Sequence, residues 1–89
     1  MIGDCFWYRY GGPGPDYQRV VVIGETDDVF FFRDLDTTQH FDFSIGKDNK
    51  ALTRMGAEDW RSAICSEPSL EFSNVMQEAY NKFFHKETK

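Results

Sequence analysis

Val29-Phe30-Phe31-Phe32-Arg33-Asp34, followed after Leu35-Asp36-Thr37-Thr38-Gln39 by His40-Phe41-Asp42-Phe43-Ser44-Ile45, is the stretch that decides the fold. Two short runs rich in Phe, Val and Ile on either side of an Asp/Thr turn read as paired antiparallel strands. The second run alternates, with Phe41, Phe43 and Ile45 on one face and His40, Asp42 and Ser44 on the other. The first is apolar on both faces through Phe30, Phe31 and Phe32, which predicts a strand covered on both sides.

Upstream, Cys5-Phe6-Trp7-Tyr8-Arg9-Tyr10 reads as a first strand, with Phe6, Tyr8 and Tyr10 on one face and Cys5, Trp7 and Arg9 on the other. Gly11-Gly12-Pro13-Gly14-Pro15-Asp16 breaks it, as a hairpin connection or as a binding loop. Tyr17 to Ile23 is the second strand, and its Val20-Val21-Val22-Ile23 run predicts a central position. Gly24-Glu25-Thr26-Asp27-Asp28 turns the chain into the third strand. Every connection is too short for a parallel crossover, so the sheet is expected to be wholly antiparallel.

Downstream of Gly46 the period changes. Asp48 is expected to cap a short turn or helix through Leu52 to Met55, ended by Gly56. Ala57 to Cys65 reads as a short helix, with Trp60, Ala63 and Ile64 at helical spacing. Ser66 or Ser69 caps a last helix running to about His85, whose Phe72-Met76-Ala79-Phe83 stripe makes it amphipathic. The expected class is α+β: a curved, four- to five-stranded antiparallel sheet followed by one or two C-terminal helices. The expected core is Val21, Phe31, Phe43, Trp60, Phe72, Met76 and Phe83.

At 89 residues the chain is read as one domain, with a β part over 1–46 and a helical part over 47–89. Its 40% hydrophobic and 17% aromatic content excludes disorder. The net charge is −5 and is carried by one half. Residues 1–48 hold nine acids against four bases, whereas residues 49–89 hold six of each. Such a field repels phosphates and disfavours direct nucleic-acid binding, while favouring a basic partner. It equally serves solubility. No apolar run is long enough to span a membrane, and no signal-peptide pattern opens the chain, so a cytoplasmic protein is expected. Cys5 and Cys65 make no disulfide framework and are expected to be reduced and partly buried, with a bridge between them left open.

Gly3-Asp4-Cys5, Arg9-Tyr10, Tyr17-Gln18-Arg19-Val20-Val21-Val22 and Val29-Phe30-Phe31-Phe32-Arg33-Asp34-Leu35-Asp36 resemble the opening of a Tudor-like or other SH3-like small barrel. The returning Phe-x-Phe of the fourth strand is also similar to the WYL type of SH3-like domain. The resemblance covers about residues 3–45 and implies an SH3-like sheet. The Tudor comparison implies an aromatic cage for a methylated or otherwise cationic peptide, built from Tyr8, Tyr10, Tyr17 and Phe32 with Asp34 or Asp36 beside the cation. The WYL comparison implies nucleic-acid sensing through basic residues near strand four, where this chain has His40 and Asp42 instead.

No catalytic constellation emerges. His40 and His85 lie far apart, and with Cys5 and Cys65 they lack the clustering of a zinc site. Asp34, Asp36 and Asp42 lack the glycine and bidentate glutamate of a calcium loop. Neither cysteine sits at a nucleophile elbow, and Gly11-Gly12-Pro13-Gly14 lacks the Lys-Ser/Thr of a phosphate loop. The expectation is a non-enzymatic protein-binding domain without metal or cofactor, whose partner surface is Asp27, Asp28, Asp34, Asp36 and Asp42. Size and charge suit a phage or mobile-element inhibitor of anti-CRISPR or anti-restriction type, occupying a basic site on a host defence or nucleic-acid enzyme. The alternative is the methylated-peptide reader.

Overall fold

The computed structural model describes residues 1–9, 17–36 and 42–84. Tyr10, the glycine-proline segment 11–16, His40, Phe41 and His85 lie outside them. In chain order the elements are β1 (Cys5–Arg9), β2 (Tyr17–Glu25), β3 (Val29–Asp34), β4 (Asp42–Gly46), β5 (Leu52–Arg54), α1 (Ala57–Ser66) and α2 (Leu70–Phe84). The strands form one open sheet in the order β4-β3-β2-β1-β5, with every neighbouring pair antiparallel. The chain is therefore an α+β fold, a curved antiparallel sheet followed by two helices.

The curvature has a simple cause. In a flat sheet β4 and β5 would stand four spacings apart, about 19 Å. The segment from Gly46 to Leu52 reaches at most ~22 Å when fully extended, and here it is folded into turns. Asn49 donates its backbone N–H to the Gly46 carbonyl at 3.1 Å, and its Oδ1 accepts the Ala51 N–H at 2.8 Å. So short a tether reaches the far side of β1 only if the sheet curls.

Curling encloses an inner core on the concave face. Phe6, Val20, Val22, Phe32 and Ile45 are buried there, with Tyr8, Phe30, Phe43 and Leu52 packed around them, so all five strands contribute. Phe32 is its centre, with ring centroids 5.6 Å from Phe6, 5.5 Å from Phe30 and 5.9 Å from Phe43. The convex face carries a second core under the helices: Cys5 and Val21 from the sheet, Met55, then Trp60, Ala63, Ile64, Met76, Ala79 and Tyr80. The valine run of β2 thus feeds both cores, Val20 and Val22 inward and Val21 outward, as a central strand should.

Gly56 opens α1 with extended backbone and no side-chain cap, and its carbonyl accepts the Trp60 N–H at 3.0 Å. Ser69 caps α2, its Oγ accepting the Phe72 N–H at 3.2 Å. Ser73 Oγ donates to the Ile64 carbonyl at 3.3 Å and ties the second helix to the end of the first. Gly3, with φ +97°, lets the N-terminal segment pass directly beneath α2. A β-carbon there would lie 2.8 Å from the Val75 carbonyl oxygen.

Two sequence expectations need correction. The segment expected to turn or coil from Leu52 to Met55 is the edge strand β5, because Leu52 to Arg54 pair with Tyr8 to Phe6 and complete the ladder of β1. Phe31, expected in the core, is 42% exposed. It points to the convex face beyond the helices, while Phe30 and Phe32 pack into the inner cluster. Val21, Trp60 and Met76 are buried as expected, and Phe43, Phe72 and Phe83 are half-buried at the margins of the two cores.

Candidate protein-binding surface

The five aspartates singled out from sequence divide into three environments. Asp27 and Asp28 are exposed at the β2–β3 turn. Thr26 shapes that turn: its Oγ1 accepts the Val29 N–H at 3.2 Å and its own N–H donates to the Val29 carbonyl at 2.9 Å. Lys47 donates its backbone N–H to the Asp28 carbonyl at 2.9 Å, which brings exposed Asp48 to the same end of the sheet. Among the described residues no cation pairs with Asp27, Asp28 or Asp48. The neighbouring Glu25 is different. Lys47 Nζ stands 2.8 Å from one of its oxygens and the Met1 ammonium 2.9 Å from the other. The hydrogen bond from Lys47, then that from the ammonium, holds its carboxyl below the ordinary glutamate range.

At the opposite end the charges are compensated. Asp36 receives both the backbone N–H of Arg19 at 2.7 Å and its Nε at 2.9 Å. Asp42 faces Arg33 across the β3–β4 ladder, with Nε 3.1 Å from its carboxylate. Asp34 is wholly buried and accepts the Asp36 N–H at 2.7 Å. The expectation that Asp34 belongs to the partner-facing rim is thus corrected. It shares the inward face with Val20 and Phe32, and its carboxylate shapes the chain leaving β3. The expected rim is two separate ends, and among the described residues only the Asp27–Asp28 end holds anions without a cation partner.

Beside that end lies an apolar concavity of about 550 Å³, lined by Ile23, Gly24, Phe31, Asp42, Phe43 and Ser44. A bulge in β2 makes it. Val22 opposes Phe32 and Gly24 opposes Phe31, so Ile23 is the extra residue and the faces shift by one. Gly24 then sits under Phe31 with no side chain to cover it; the nearest ring carbon is 3.7 Å from where a β-carbon would be. The ring shields the glycine backbone and stays open to solvent itself. Sequence reading missed this surface, although a glycine following a valine run is the signal for a bulge.

The three described members of the expected aromatic cage do not share one face. Phe32 is fully buried at the heart of the inner core. Tyr8 lies on the same inward face, its ring 5.7 Å from Phe43. Tyr17 opposes Arg9 and so takes the convex face with Trp7. Tyr10 lies outside the described residues. Tyr17, 48% exposed, instead lines a separate concavity of about 330 Å³ with Trp7 and Thr53.

The two cysteines are free, Cys5 buried and Cys65 exposed. Burial, reinforced by the neighbouring Asp4 charge, pushes the Cys5 thiol far above its ordinary value and keeps it protonated. Buried Asp4 is itself held by Arg54, whose Nη1 is 3.2 Å from Oδ1, and by the Met1 ammonium at 3.1 Å. The Arg54 contact is close enough for an ion pair but lies outside hydrogen-bond alignment. Among the described residues no three His, Cys, Asp or Glu side chains are grouped as metal donors, and no helix is long and apolar enough to cross a membrane. No family model, curated protein or solved structure matches the chain.

Proposed function

We propose that this protein is a non-catalytic binding domain whose convex face, centred on Phe31, occupies a basic site on a partner protein. The observation that carries the reading is the juxtaposition of an open aromatic ring with unpaired anions. Phe31 lies only three residues, about 10 Å, along β3 from Asp28. Interfaces that hold well bury an aromatic anchor and surround it with charges that steer the encounter. Phe31 supplies the first, and Asp27, Asp28 and Asp48 supply the second. A net charge of −5 concentrated in the sheet half suits a partner that otherwise receives phosphates. An inhibitor of a host defence or nucleic-acid enzyme is the concrete form of this proposal.

The test compares wild type with Phe31→Ala and with Asp27→Lys/Asp28→Lys, each immobilised and exposed to extract of the native host. The expected outcome is a basic protein retained by wild type, released by moderate salt, and lost from both variants. Equal retention by all three at every salt concentration places the binding face elsewhere.

A further inference from the structure

Among the described strands β4 is an outer one; its edge lies beside the same concavity, and its backbone is in phase to receive another strand. The Lys47 N–H bonds the Asp28 carbonyl, and these residues continue the β3–β4 register in which Gly46 faces Val29 and Ile45 faces Phe30. Bonding residues alternate along an antiparallel pair. Phe43, Ile45 and Lys47 therefore direct their amides and carbonyls toward β3. Asp42, Ser44 and Gly46 direct theirs outward, where no described strand receives them.

Natural proteins protect such an edge with proline, a bulge or charged side chains, lysine above all. The β4 sequence Asp42-Phe43-Ser44-Ile45-Gly46 has no proline or lysine, its one charge at Asp42 is drawn to Arg33 across the ladder, and the register shift lies in the β2–β3 pair. The other edge differs. β5 is three residues long, and Arg54 within it packs between Phe6 and Phe83, 4.9 Å and 4.2 Å from the two ring centroids.

Side chains on the two faces of the β4 edge define what would fit. The convex face offers Asp42 and Ser44 beside the Phe31 concavity, with the free acids of the β2–β3 turn beyond Gly46. The concave face offers the margin of the inner core at Phe43 and Ile45. A strand laid against β4 places alternate residues on these two faces. A segment alternating basic and apolar residues therefore meets acid on one side and apolar surface on the other. We propose that β4 binds an extended basic–apolar segment of its partner by strand addition. The proposal rests on the reading of this face as a partner surface. Main-chain hydrogen bonds supply affinity, and the concavity with its acids selects the sequence.

The probe is an acetylated, amidated decapeptide of alternating lysine and valine, titrated into the ¹⁵N-labelled full chain. Hydrogen exchange at the Ser44 and Gly46 amides is expected to slow tenfold or more, with Phe43 and Ile45 little changed. Ser44→Pro breaks no bond to β3, because the amide it removes faces outward, so its melting temperature should stay near wild type while peptide affinity drops at least tenfold. Unchanged exchange at Ser44 and Gly46, or no binding, overturns strand addition. Affinity lost in Asp27→Lys/Asp28→Lys but kept in a folded Ser44→Pro overturns it too and leaves the acidic surface standing. Protection of these amides that rises with protein concentration, without peptide, overturns it in favour of a second copy on the edge. If Ser44→Pro proves unfolded, the exchange pattern of the wild-type chain decides.

Discussion

Single residues set the limits of both cores and of the surface between them. Gly3 is the sharpest case: positive φ and a 2.8 Å approach to the Val75 carbonyl both exclude a side chain. Gly3→Ala should cost about 2–4 kcal/mol through backbone strain plus overpacking, read as a lower urea midpoint at an unchanged slope. The cysteines are separated just as clearly. One thiol, Cys65, should react with an aromatic disulfide reagent in the native protein, and both should react in denaturant. Two fast thiols in the native state would show that α2 leaves Cys5 uncovered. Glu25 gives the stability a dependence on pH on the acid side. Its carboxyl titrates lower folded than unfolded, so its contribution is present above the ordinary glutamate value of about 4.3 and disappears as pH falls through the folded value. Glu25→Gln should therefore flatten the stability profile below about pH 4.3 and shift the neutral plateau only slightly. What sequence could not rank is burial among like residues. Asp34 and Asp36 are two positions apart, yet one is sealed by Val20 and Phe32 on the inward face and the other is held at the surface by Arg19. Asp27 and Asp28 were legible as surface anions because they sit in a polar turn, whereas the pairing of Glu25 in the same turn, with Lys47 and the Met1 ammonium, depends on chain brought in from elsewhere.

At the scale of elements, β1, β4 and both helices were legible because each carries a period, and β2 and β3 because each is a short apolar run of β-branched or aromatic residues between turn signals. Alternation placed Phe6 and Tyr8 opposite Cys5 and Trp7, and helical spacing placed Trp60, Ala63 and Ile64 together. β5 carries no such period. Three residues are too few to alternate, and only its pairing with Phe6 to Tyr8 makes it a strand. The candidate surface was hidden for a related reason. Alternation along β3 turns Phe31 outward between the inward Phe30 and Phe32, and the extra residue at Ile23 sets side-chain-free Gly24 opposite it, so a ring expected in the core stays open to solvent. Of its residues Asp27 and Asp28 were named from the sequence as partner-facing, whereas Asp48 and the Phe31 ring were not. For α2 the open question is how firmly it docks. Phe83 is half-buried, 5.6 Å from the Trp60 ring and 4.2 Å from the Arg54 guanidinium. Phe83→Ala removes both contacts but not a sealed core side chain, so it should cost about 2–3 kcal/mol, below the 3–5 expected of a fully buried Phe. A wild-type urea midpoint in that variant would show that the end of α2 is not docked, and would turn its aromatic stripe into a second candidate for partner binding.

For the whole molecule, the central question is whether two cores make one cooperative unit. The sheet is a shared wall. Val20 and Val22 seal the concave cluster, Val21 seals the convex one, and Arg54 bridges rings belonging to each at the β5 edge. A domain of 89 residues has only a few kcal/mol of surplus stability, and neither cluster is large enough to persist alone. Damage on one side should therefore be felt on the other. Phe32→Ala empties the centre of the inner core at a cost of about 3–5 kcal/mol, and among the described residues the hydrophobic side chains of that cluster all come from strands. Two signals report on the far side: helical ellipticity from α1 and α2, and fluorescence that includes Trp60, wholly buried under the helices. In Phe32→Ala both should move to lower urea concentration by the same amount and remain superimposable, because β2 cannot lose its inner face and keep its outer one. If fluorescence and ellipticity instead hold their wild-type midpoint while near-ultraviolet signals from the inner rings melt early, the helical core stands without the inner core of the sheet. The Phe31 surface would then belong to a separately melting sheet, and its partner would bind and fold it in one step.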